Sequence, residues 1–105
     1  MKRKDRIIFE TFAERLREKY PVAKVWAFGS RARGDATGES DFDVCVVLEN
    51  AALADEKSIR EIAWEVAFDN GTVLNTIVLS AEEFERGPMS ESTLVANILR
   101  EGVPA

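Results

Sequence analysis

The stretch Ala27-Phe28-Gly29-Ser30-Arg31-Ala32-Arg33-Gly34-Asp35-Ala36, followed by Ser40-Asp41-Phe42-Asp43-Val44, decides the fold. Residues 23–28 read as a strand that stops sharply at Gly29-Ser30, and residues 43–48 read as a second strand. Only about a dozen residues join them, which is short for a parallel crossover, so the two strands are expected to be antiparallel neighbours. The polar link has room for one helical turn and a loop. The Gly29-Ser30 end then lies beside Asp41 and Asp43.

Moving outward, residues 55–69 place Ile59, Ile62, Ala63 and Val66 on one helical face, and Asn70-Gly71 supplies a left-handed stop. Residues 74–79 form a third strand. A strand, a full helix and a strand make a right-handed parallel unit, so Leu74-Asn75-Thr76 arrives at the same rim as the two aspartates. Before the first strand, Ile8, Phe12, Leu16 and Tyr20, with Phe9 and Ala13 alongside, form the apolar face of a helix over residues 5–20 that Pro21 ends. After the third strand, Ser80-Ala81-Glu82-Glu83 is a capping-box pattern, opening a short helix that Gly87-Pro88 terminates. A last helix from about Ser90 to Glu101 is capped by Gly102. The predicted architecture is α/β (α+β): a small mixed three-stranded β-sheet with flanking helices, in the order αβ(α)βαβαα.

At 105 residues, with 46% hydrophobic and 31% charged residues and no repeat or linker, the composition predicts one domain over 1–105. The longest apolar runs, such as Val44 to Leu48, are far below the roughly 18 residues of a spanning helix. The basic start Met1-Lys2-Arg3-Lys4 is followed by Asp5 and Arg6, not by an apolar stretch, so no secretory signal is read and a cytoplasmic location is expected. A net charge of −5 argues against strong nucleic-acid binding, which rests on neutralising many phosphates. The one cysteine, Cys45, sits between Val44 and Val46 and reads as a small buried hydrophobe. There is no histidine, which excludes histidine triads and histidine general bases. Any chemistry must use carboxylates, hydroxyls, backbone amides and Arg or Lys.

Asp41 and Asp43 are two residues apart at a strand entry, so their carboxylates project from one face, close enough to share a divalent cation. Hard oxygen donors with open positions suit Mg²⁺, which takes its remaining ligands from water and substrate phosphates. Taken alone, Asp-x-Asp also describes the solvent face of a half-exposed strand. Gly29-Ser30, entering a helical turn, offers backbone amides and a hydroxyl suited to phosphate oxygens, although an isolated Gly-Ser is usually a plain turn. Arg31 and Arg33 are candidates to add phosphate contacts, although a pair of arginines is usually just a solvated face. Asp35 and Glu39 read as solvating loop residues.

The combination Gly-Ser, ten residues, Asp-x-Asp is far more specific than its parts. It resembles the signature of the DNA polymerase β-like nucleotidyltransferase superfamily, and Gly29-Ser30-Arg31-Ala32-Arg33-Gly34 looks like the small MNT-type, or minimal nucleotidyltransferase, members, which are often antitoxin partners of HEPN proteins. The resemblance covers essentially the whole chain. It implies transfer of a nucleoside monophosphate from Mg²⁺-bound NTP, expected to be ATP, to an acceptor hydroxyl, with pyrophosphate leaving. It also implies that Gly29 and Ser30 hold the β and γ phosphates, and that Asp41 and Asp43 are the catalytic carboxylates and metal ligands. The family's third carboxylate, at the start of the third strand, is matched here by Asn75, which offers a neutral carbonyl but cannot act as a base. Asp69 is a candidate substitute.

Two functions follow from this pattern. One is a nucleotidyltransferase acting on a protein or small-molecule hydroxyl, as the antitoxin-type partner of a HEPN-type helical protein. The alternative is a catalytically degraded regulator that binds a nucleotide or a partner. Trp64 and Phe68 lie offset from the Ile59/Ile62/Val66 stripe; core packing is the first expectation for them, and an interface for a helical partner or a homo-oligomer is the alternative.

Overall fold

The computed structural model describes residues 1–35, 41–85 and 93–105. Helix α1 runs Arg3–Lys19, strand β1 Lys24–Phe28, helix α2 Gly29–Arg33, strand β2 Phe42–Leu48 and helix α3 Leu53–Asn70. Strand β3 follows at Leu74–Ser80, then helices α4 (Ala81–Glu85) and α5 (Thr93–Glu101), and strand β4 at Val103–Pro104. Glu39, the Gly87-Pro88 stop and the Ser90 start of the last helix lie outside the described residues.

Among the described residues the sheet has the order β3-β2-β1-β4. β1 and β2 are antiparallel and β2 and β3 parallel, as the connection lengths require. The predicted three-stranded sheet is corrected to four strands. Val103 and Pro104 pair antiparallel with Ala27 and Trp26, and Arg17 braces this end by donating to the carbonyls of Ala23 and Ala105. A two-residue strand has no periodicity to read, and its proline fits only an edge position.

Helices cover both faces of the sheet. Ile8, Phe9, Phe12 and Leu16 of α1 and Ile59, Ala63 and Val66 of α3 pack with Val25, Ala27, Val44 and Val46. On the other face Phe84, Val95 and Ile98 pack with Cys45, Val47 and Leu79. This two-sided cover explains the uninterrupted apolar run in β2, whose residues Val44 through Leu48 are all buried. Burial pushes the Cys45 thiol up to about 12, consistent with a packing role.

The caps follow the sequence closely. The Ser80 amide donates to Glu83, and the Glu83 amide donates to Ser80 Oγ, each at 3.0 Å, so the predicted capping box is formed. Gly71 ends α3 with φ 62°, a left-handed conformation that disfavours any side chain. At the other end of α3, Asp55 accepts hydrogen bonds from the Ala52 amide and the Tyr20 hydroxyl, tying α3 to the end of α1.

Candidate active site

The pairing register builds the site. Phe28 lies opposite Asp43, and Asp43 opposite Asn75, so the residue before Gly29, the second aspartate and Asn75 form one row across β1, β2 and β3. Adjacent strands are about 4.8 Å apart, so the row spans about 10 Å. Asp41 stands just before β2, and its Oδ2 accepts a hydrogen bond of 2.9 Å from Asn75 Nδ2.

Gly29 opens α2 with φ 77°, and a Cβ at this position would lie 2.6 Å from Asp43 Oδ2. Only glycine meets both demands, the left-handed backbone and the closeness of the carboxylate. The first turn of α2, including Ser30, carries amides with no partner inside the helix.

Asp43 is half-buried, and this desolvation raises its carboxyl above the usual range. The Asn75 hydrogen bond pulls it back, and the Asp41 charge adds to the rise. Two carboxylates that repel one another, beside the Asn75 amide, offer oxygen donors of the kind a hard divalent cation takes. Among the described residues no group of three His, Cys, Asp or Glu side chains is gathered anywhere, which agrees with Asn75 in the third position.

The structure brings Gly29, Asp41, Asp43 and Asn75 together, with Ser30 next to Gly29 in the chain, and pairs the two arginines with carboxylates elsewhere. Arg31, expected at the phosphates, instead directs its guanidinium into α1. There it meets Asp5 at 2.8 Å, with side-chain exposures of 12% and 6%, and lies 5.8 Å over the Phe42 ring. This ion pair ties the turn that carries Gly29 and Ser30 to α1. Arg33, at the far end of α2, is paired with Asp35 at 3.2 Å and Glu101 at 3.5 Å, and the Asp35 hydrogen bond raises its pKa further. Asp69, the candidate substitute for the third carboxylate, pairs with Arg15 of α1 at 3.6 Å.

Breaking a buried ion pair from one side costs on the order of 3–5 kcal/mol. Asp5→Ala is therefore expected to lower stability by about 3 kcal/mol. Urea unfolding measures this, and an unchanged midpoint would show that Arg31 does not depend on Asp5.

A nucleotidyltransferase-domain family model matches residues 9–103, a span that contains the whole rim. The chain belongs to the nucleotidyltransferase-domain family. This nucleotidyltransferase is 33% identical over 93 residues to the protein named "Putative protein adenylyltransferase MJ0604" of Methanocaldococcus jannaschii, covering 87% of each chain. Among solved structures it resembles a mutant of the toxin-antitoxin MntA-HpeT, with a TM-score of 0.59, 16% identity, and coverage of 98% of this chain and 72% of that one. It also resembles a "putative nucleotidyltransferase from Sulfolobus solfataricus", with a TM-score of 0.54, 21% identity, and coverage of 96% and 81%. These two likenesses establish the fold. Enzymes of this family generally use a divalent metal. Among the described residues no helix of the nucleotidyltransferase is long and apolar enough to cross a membrane.

The expectation of core packing for Trp64 and Phe68 is overturned. They are 66% and 72% exposed and stack on one another with ring centroids 5.2 Å apart. The signal was that each follows a buried alanine, Ala63 or Ala67, by one position, about 100° around the helix.

Proposed function

We propose that the chain, acting as one domain over residues 1–105, transfers adenosine monophosphate from Mg²⁺-ATP to a hydroxyl on a protein. The observation that carries this is Gly29 packed on Asp43, with Asp43 opposite Asn75 and Asp41 bonded to Asn75, on a fold whose family performs nucleotidyl transfer. The adenylyl group and the protein acceptor are taken from the relative at 33% identity. The toxin-antitoxin neighbour supports a protein partner, and the resemblance of the Gly29–Gly34 motif implies that this partner is a helical HEPN-type protein.

The backbone of Gly29 and the amide and hydroxyl of Ser30 hold the terminal phosphates of ATP, leaving the α phosphorus over the aspartates. Asp41, Asp43 and the carbonyl oxygen of Asn75 would hold Mg²⁺. Bound there, Mg²⁺ neutralises charge on the phosphates and lowers the pKa of the attacking hydroxyl. The acceptor oxygen bonds to the α phosphorus while the bond to the pyrophosphate oxygen breaks. Asn75 orients Asp41 through its amide but takes no proton, so the proton leaves to water.

Calorimetric titration with ATP and Mg²⁺ tests the reading. Wild-type protein is expected to give saturable heat, and Asp43→Ala is expected to give none, because the half-buried carboxylate is central to the rim. Equal heats for the two proteins, or none from either, would remove the rim from the function.

A further inference from the structure

Beside Asn75 the rim opens into a groove of about 480 Å³ between α3 and β3, lined by Arg60, Trp64, Phe68, Val73, Asn75 and Thr76. We propose that this groove seats the acceptor: an extended polypeptide segment with apolar side chains that presents its hydroxyl to the α phosphorus from the Asn75 side. The inference rests on the nucleotidyl-transfer reading and adds to it where the second substrate lies and what holds it.

Direction comes first. In phosphoryl and nucleotidyl transfer the attacking and leaving oxygens lie roughly in line with phosphorus between them. With the leaving pyrophosphate at Gly29 and Ser30, after β1, and the reacting phosphorus over Asp41 and Asp43, at β2, the hydroxyl has to come from the β3 side. That is the side on which the groove opens, with Asn75 as the residue shared by the rim and the groove. On the β1 side of the rim, α2 and α5 pack against β1 and against each other. A second large groove, between α1 and β4, is lined by Arg6, Phe9, Glu10 and Arg17 and includes no rim residue.

The chemistry of the groove indicates its occupant. Its walls carry the stacked, exposed rings of Trp64 and Phe68 and the side chain of Val73, itself 54% exposed, with Arg60, Asn75 and Thr76 in the polar part. Rigid exposed aromatics at the centre of a patch are the usual anchors of polypeptide recognition. β3 is also the outermost strand, so on its outer side its main-chain groups have no strand partner among the described residues. An extended segment can pair with such an edge while its side chains enter the groove.

The experiment uses ATP labelled at the α phosphate and two short probe peptides. One carries Ser, Thr and Tyr among Leu and Phe; its counterpart has Gly in place of every Leu and Phe. Wild-type protein is expected to label the apolar peptide at least about tenfold better, the penalty for losing a buried aromatic anchor. The same peptide should also blue-shift the emission of the exposed Trp64. Trp64→Ala and Phe68→Ala should lose at least about tenfold in labelling, through the peptide KM, while Mg²⁺-ATP binding stays within about twofold by calorimetry. Circular dichroism checks their fold, and Phe68→Ala keeps the Trp64 reporter.

If wild-type protein gives no heat with Mg²⁺-ATP, the nucleotidyl-transfer reading fails first. If Mg²⁺-ATP binds but the apolar peptide neither shifts the emission nor outperforms its counterpart, the groove is not the acceptor site. Equal labelling by Phe68→Ala and wild type would likewise exclude the groove. Self-association in light scattering that disappears in Trp64→Ala would assign the groove to a second copy of this chain and overturn the proposal.

Discussion

Asn75→Asp is expected to raise nucleotidyl transfer by about 10²–10⁴, the usual contribution of a positioned general base. In the wild-type rim the Asn75 amide donates to Asp41 at 2.9 Å and also lowers the raised pKa of Asp43, so it eases the repulsion between the two carboxylates. A carboxylate in its place accepts the proton of the attacking hydroxyl and adds a charge to the cation cage. The gain belongs in kcat rather than in nucleotide affinity. The same change puts three like charges together, so in chelator the variant is expected to melt below wild type, and Mg²⁺ is expected to restore it. Label transfer from α-labelled ATP and melting with and without Mg²⁺ check both halves. Robust wild-type transfer left unchanged by Asn75→Asp would show that another group already takes the proton.

Gly29→Ala is expected to lower transfer by about 10² or more, because an error of about 1 Å in a reacting group commonly costs that much. The new methyl would meet Asp43 Oδ2 at 2.6 Å, and either the carboxylate or the turn bearing Ser30 has to give way. The left-handed backbone adds about 1–3 kcal/mol of strain. Gly71→Ala separates these two effects: it has φ 62° with nothing within 4 Å of the added carbon. That control is expected to lose stability but keep transfer. Transfer retained by Gly29→Ala would show that Asp43 tolerates displacement, and the close packing of glycine on carboxylate would then have no catalytic meaning.

Much of this was legible in the chain. The strand pairing followed from connection lengths, since a dozen-residue link cannot easily cross over and a link containing α3 can. The rim followed from that pairing, because Gly29, Asp43 and Asn75 each stand at a strand end that the topology forces to one edge. The caps at Ser80 and Gly71 were local, decided by a few neighbouring residues. What was not legible depended on contacts distant in sequence. Arg31 and Arg33 have the same chemistry two residues apart, and only the arrival of α1 and α5 tells them apart, by bringing Asp5 to one and Glu101 to the other. β4 is too short for any pattern and exists because β1 offers it an edge.

Trp64 and Phe68 mark the boundary most clearly. Helical periodicity placed them away from the buried stripe, but whether that flank is covered depends on what packs beside α3. The sequence by itself determined the row of residues along the rim, through turn chemistry, strand period and the reach of short connections, all of which act over a few residues. The tertiary structure decided which cation meets which carboxylate and which aromatic rings stay in solvent, because burial is a property of the assembled layers. It left the Trp64–Phe68 stack open beside Asn75, on the outer flank of the sheet.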